Sequence, residues 1–240
     1  MCGITGCLAL ADGAGPDTEW VGHAAMRIAH RGPDDEDFFA DHHLALGFRR
    51  LAVIDTSAAG RQPMQSADGR FVMVFDGEIY NYVELAQRLL ARGVRLRSRS
   101  AAEVLLEKYA WQGRDVVREL RGMYAFAIWD RRDRELFCAR DPFGIKPFFY
   151  ALTTGGQRPR SGPQLRFASE RKALAGPGEV TALDPDALRR YLSFQYVPVR
   201  AAPGWPARAR TGTTGTGAAR PGRGRSPRPG RPAPCARRRT

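Results

Sequence analysis

The chain opens MCGITG, which sets a cysteine directly behind the initiator methionine. A thiol in that place has two readings. It is a chance residue on an end that frays and oxidises, or it is a nucleophile: with Met1 removed, Cys2 carries its own α-amine beside the thiol. That amine has a reference pKa of ~7.7–8.0 and can serve as a base near neutral pH. Other reactive side chains offer less. His42 and His43 are adjacent, without i,i+4 spacing and without a nearby cysteine, so no metal site is expected. His30 reads as a structural hydrogen-bonding residue. Cys7 and Cys138 lie among apolar residues and read as inert core thiols.

A terminal nucleophile needs a scaffold, and residues 1–200 alternate strand and helix signals. GITGCLAL (3–10) has the content of a short buried strand, with Gly3 and Gly6 allowing close approach around Cys2. A helix follows in DTEWVGHAAMRIAHRGP, capped by Asp17 and stopped by Gly32 and Pro33. LALGFRRLAVID (44–55) and RFVMVFDGEIY (70–80) are rich in Val, Ile and Phe and read as strands. Asn81 is placed to cap YVELAQRLLAR, which ends at Gly93. Ser100 and Glu103 have the capping-box spacing at the head of SAAEVLLEKYAWQG. MYAFAIWD and ELFCARD flank RRDR as a hairpin, KPFFYAL and QLRFASE form a second strand pair, and DPDALRRYLSFQY is a last helix. The pattern predicts a layered α+β fold, with sheets packed together and covered by helices.

The net charge of +13 suggests nucleic acid until its distribution is read. Residues 201–240 carry ten Arg and no acid, which leaves residues 1–200 at +3. The same segment holds seven Gly and seven Pro and has almost no apolar periodicity, so residues 199–240 are expected to be a disordered tail. It reads either as a basic arm or as out-of-frame sequence, since GC-rich codons yield this mixture. Only Trp205 offers a stacking surface, so nucleic acid is not the expected partner. Four cysteines without CxxC spacing fit a reducing cytoplasm. No apolar run approaches the ~20 residues of a membrane span, and no signal-peptide pattern is present.

Eight strings then follow Cys2 in order: HRGPD (30–34), RRLAVID (49–55), QPM (62–64), GEIYN (77–81), RGMYAFAIWD (121–130), RDPFGIKPFFY (140–150), FASERKAL (167–174) and LSFQYVP (192–198). Together they resemble the N-terminal glutaminase domain of glutamine-dependent asparagine synthetases, class II glutamine amidotransferases, over residues 2–198. The resemblance implies an N-terminal-nucleophile (Ntn) fold, a four-layer αββα sandwich. It also implies the chemistry: the Cys2 thiolate attacks the side-chain amide of L-glutamine, releases ammonia, and water hydrolyses the glutamyl thioester. By position, Arg50 matches the arginine that holds the substrate α-carboxylate, a task suited to its bidentate fork. Leu51 and Val53 match backbone positions of the same site. Gly77 and Glu78 match residues around the substrate ammonium, and Gly77 also matches a backbone oxyanion donor.

Two positions depart from that pattern. The family's NGEIYN is DGEIYN here, so Asp76 stands where an asparagine amide completes the oxyanion hole. An ionised carboxylate only accepts, whereas a protonated one can donate; losing one such donor typically costs ~10²–10³ in rate. In SRSAAEV, Ala101 stands where the family has the aspartate that pairs with the α-ammonium. The expectation is a glutaminase domain with impaired glutamine binding, needing no cofactor of its own. ATP and Mg belong to a synthetase domain or subunit that accepts the ammonia. Its SGGxDS-type loop does not occur in this sequence, which is expected to be truncated or frame-shifted after about residue 198. A homodimer is an open arrangement. The competing readings are an inactive domain retained for partner binding and an amidotransferase for an acceptor other than aspartate.

Overall fold

A computed structural model describes residues 1–11, 13–52, 60–153, 162–175 and 185–195. The tail from 199 onward and Val53 lie outside these residues. Two antiparallel sheets make up the centre. One has five strands in the order β2-β3-β1-β9-β8: β1 (Gly3–Ala9), β2 (Asp35–Ala40), β3 (Leu44–Arg50), β8 (Phe149–Thr153) and β9 (Gln164–Ala168). The other has four, β4-β5-β6-β7: β4 (Met64–Gln65), β5 (Phe71–Ile79), β6 (Gly122–Asp130) and β7 (Glu135–Arg140).

The strand sequences explain the layering. In β5, alternate side chains serve two cores: Val72 and Val74 face the other sheet, while Phe71, Met73 and Phe75 face a helical layer. Strand β6 does the same, with Ala125, Ala127 and Trp129 between the sheets and Tyr124, Phe126 and Ile128 on the helical side. A strand buried on both faces reads as a continuous apolar run, which is how RFVMVF and MYAFAIW appear in sequence. The helical layer is α2 (Tyr82–Leu90) and α3 (Ala101–Gln112), seated through residues such as Leu85, Leu89, Leu105 and Leu106. On the outer face of the five-stranded sheet, α1 (Thr18–Arg27) and the short α4 (Arg171–Leu174) pack through Trp20, Val21, Ala24, Ala173 and Leu174. This is the αββα sandwich. Each fully buried Val, Leu, Ile or Phe contributes ~1.5–3 kcal/mol. Helix α5 (Pro185–Phe194) follows, with no buried residue.

Several local expectations need correction. Asn81 precedes α2 but does not cap it: its amide donates to the Glu119 carbonyl (2.9 Å) and accepts from Arg121 N–H (3.0 Å), bracing the entry to β6. Ser100 does cap α3, accepting from Glu103 N–H at 3.2 Å, whereas the Glu103 carboxylate reaches further back to Arg97 N–H (2.8 Å) and Ser98 N–H (2.6 Å). The glycines of β1 give room to side chains rather than to backbone; a Cβ on Gly6 would sit 2.3 Å from Phe167. Edge strand β2 escapes sequence reading because its first three residues, Asp-Glu-Asp, are poor strand formers, and charge on an edge discourages further pairing.

Candidate active site

Strand parity delivers the candidate nucleophile. Ile4 and Leu8 point between the sheets, so Cys2, two residues before Ile4, enters from the same side and packs at the edge of that core. Its thiol lies against the backbone of Leu51: Sγ is 3.7 Å from the Leu51 carbonyl, and Leu51 N–H is directed at Sγ across 3.5 Å. Burial pushes the Cys2 thiol above its ordinary pKa; the Leu51 bond opposes this, Asp76 adds to it, and the amino terminus and Lys146 counter it.

Asp76 arrives by the same logic. It continues the Val72, Val74 parity of β5 towards the other sheet and is 1 % exposed. Oδ2 accepts from Arg31 Nη2 at 3.0 Å, and Oδ1 accepts from Lys146 Nζ at 3.2 Å. Arginine and lysine only donate, so Asp76 serves as an acceptor on both oxygens rather than as a donor to an oxyanion. Arg31 also donates from Nε to the Cys2 carbonyl (2.8 Å) and from Nη1 to Glu170 (3.3 Å). Gln62 fixes the strand just ahead: its side-chain amide clasps Phe75, accepting from N–H at 2.6 Å and donating to the carbonyl at 3.2 Å.

The cavity at Cys2 measures about 390 Å³, within the range of small-molecule sites, and its wall includes Arg50, Leu51, Asp76, Gly77, Glu78, Ala101 and Lys146. Every expected site residue among the described ones therefore meets there. Arg50 ends β3 and is buried. Gly77 lies opposite Tyr124 in the β5–β6 ladder, and a Cβ on it would sit 2.3 Å from the Met123 carbonyl oxygen. Glu78 is half-buried and its carboxyl is raised, by burial first, with Lys146 opposing and Asp76 reinforcing. Ala101, the first residue of α3, presents only a methyl group to the cavity. Among the described residues no group of three or more His, Cys, Asp or Glu is placed to hold a metal ion, and no helix is long and apolar enough to cross a membrane.

Arg31 and Lys146 were not marked as site residues by sequence reasoning. Their strings, HRGPD and RDPFGIKP, were visible, but neither side chain has a local partner that reveals its task. The structure supplies one that both share: Asp76, distant along the chain from each, accepts from Arg31 and from Lys146. Asp141, fully buried, accepts from the N–H groups of Ile145 and Lys146 (2.9 Å each) and Tyr124 (3.3 Å), winding the loop that carries Lys146 inward. Arg140 braces the same loop by donating to the carbonyls of Gly144 and Lys146.

The fold matches those of two solved chains. The structure of the allosteric regulatory enzyme of purine biosynthesis aligns at a TM-score of 0.59 with 19% identity, covering 72% of this chain and 43% of that one. Glutamine phosphoribosylpyrophosphate amidotransferase from B. subtilis aligns at 0.58 with 20% identity, covering 72% and 43%. The fold class is the Ntn-type αββα sandwich. The sequence narrows it further, because the model of the glutamine amidotransferase domain matches residues 1–203. Asparagine synthetase [glutamine-hydrolyzing] 1 of Bacillus subtilis (strain 168) is 41% identical over 201 residues, covering 82% of this chain and 30% of that protein. A putative asparagine synthetase [glutamine-hydrolyzing] of Mycobacterium tuberculosis (strain ATCC 25618 / H37Rv) is 40% identical over 217 residues, covering 82% and 32%. The chain belongs to the glutamine amidotransferase domain family, as a domain of the asparagine synthetase type. It spans about a third of the length of these curated relatives.

Proposed function

We propose that this domain hydrolyses L-glutamine to glutamate and ammonia through Cys2, and that the ammonia serves ATP-dependent amide transfer in a synthetase unit. The observation that carries the reading is the Cys2 thiol held against the Leu51 backbone at a cavity that also meets Arg50, Gly77 and Glu78. Removal of Met1 frees the Cys2 α-amine to take the thiol proton. Sulfur then bonds to the amide carbon, and the C–N bond breaks as that proton passes to the departing ammonia. Water cleaves the thioester and returns the thiol. Arg50 supports the α-carboxylate, Leu51 lines the site through its backbone, and Gly77 N–H serves the oxyanion. Glu78 is the acid left to face the ammonium, because Ala101 brings no charge.

Turnover is expected to be slow, since Asp76 brings no oxyanion donor, and glutamine binding weak, since Ala101 brings no acid to the ammonium. The domain is taken as residues 2–198, working in the cytoplasm, with residues 199–240 as a tail outside it. Ammonia release from glutamine by the purified chain tests this, with N-terminal mass spectrometry for the loss of Met1. Turnover that Cys2→Ala abolishes supports the reading. Turnover undiminished in Cys2→Ala overturns it, and no turnover with Met1 removed favours an inactive domain that binds a partner.

A further inference from the structure

The cluster beneath Cys2 places a buried acid next to a thiol that must ionise. An unbalanced carboxylate there disfavours the thiolate. Two cations are built onto it instead, and they differ in what they have left to give. Arg31 is engaged in three directions, on the Cys2 carbonyl, Asp76 and Glu170. Lys146, 4 % exposed, borders the same cavity as Cys2; its ammonium has three N–H donors, and Asp76 takes one of them. A lysine side chain ordinarily loses much rotamer freedom when held. Here the backbone of its loop is set by Asp141 and Arg140, and its tip is tethered by Asp76.

We infer that Lys146, tethered by Asp76, stabilises the Cys2 thiolate in this domain alongside the amino terminus, with Asp76 acting as its positioning residue. Lys146 acts on the Cys2 thiol in the sense opposite to Asp76, as the amino terminus does more strongly. That the thiolate so stabilised attacks glutamine rests on the glutaminase reading above.

The test reads the thiol itself and needs no glutamine. Iodoacetamide alkylation of the full chain is followed against pH, with peptide-resolved mass spectrometry to separate Cys2 from Cys7, Cys138 and Cys235. Lys146→Met is expected to raise the inflection for Cys2 by about one pH unit, and Lys146→Arg to return it most of the way. Should Lys146→Met not fold, Asp76→Asn with Lys146→Met leaves no stranded acid and is expected to have a higher inflection than Asp76→Asn alone. An unmoved inflection in Lys146→Met, or in the double variant against the single one, overturns the inference. A domain that never turns over glutamine still shows the shift, so failure here and failure of the glutaminase reading remain separate results.

Discussion

Arg31 Nε donates across 2.8 Å to the backbone carbonyl of Cys2, so the arginine of HRGPD holds in place the residue that carries the thiol. The same guanidinium pairs with Asp76 and Glu170, and it is 9 % exposed. Removing one partner from a buried ion pair costs more than the pair was worth, because the other charge is stranded. Arg31→Met is expected to lower stability by about 3–5 kcal/mol, measured as the shift in urea unfolding. Arg31→Lys should recover little, since one ammonium cannot serve three directions from a planar fork.

Gly77 sits where β5 and β6 leave no room for a side chain. Gly77→Ala is expected to destabilise by on the order of 3 kcal/mol and to lower ammonia release, as the strand carrying Asp76 and Glu78 is displaced. Gly22 is the control: it lies within α1 and an added Cβ meets nothing within 4 Å. Gly22→Ala is expected to stabilise by about 0.5–1 kcal/mol. Thermal melts of both variants decide the matter.

Ala101 offers a methyl group at the cavity wall, in a site where Asp76 is already engaged by two cations. Placing a carboxylate there supplies the substrate ammonium with a partner. Ala101→Asp is expected to lower the KM for glutamine by about tenfold or more, equivalent to roughly 1.4 kcal/mol. An unchanged KM would place the ammonium elsewhere, with Glu78 the next position to vary.

Glu103 is almost fully buried, and burial alone would raise its carboxyl; hydrogen bonds from Arg97 N–H and from the Ser98 N–H and hydroxyl, with the Arg97 guanidinium, hold it below the ordinary value instead. A depressed folded pKa contributes stability that is present above the unfolded value, ~4.3, and is lost as pH falls through the folded one. Glu103→Gln is therefore expected to flatten the dependence of stability on pH between about 5 and 3. Urea midpoints measured at intervals across that window check it.

Much of the scaffold is legible because its signals are local. The apolar runs of β5 and β6, the Asp17 cap (Trp20 N–H at 3.0 Å) and the Ser100 cap each depend on residues a few positions apart. Edge strand β2 is not legible, because what makes DEDFFA a strand is pairing with β3, from Asp35 opposite Arg50 to Ala40 opposite Ala45. Asn81 misleads for a related reason. Its capping chemistry is real, but Glu119 and Arg121 compete for the amide and win once β6 is in place.

By itself, the sequence determines the chemical inventory: a thiol behind the initiator methionine, Arg50, Gly77 and Glu78 in motif order, and the departures at Asp76 and Ala101. These are matters of residue type and position along the chain. What Asp76 does is decided only in the tertiary structure, where residues 31, 76 and 146 converge from a short 3-10 turn, a central strand and a loop. The physical reason is that a charge acquires its effect from burial and from the distance to its partners. Both come into being only when the two sheets close over it.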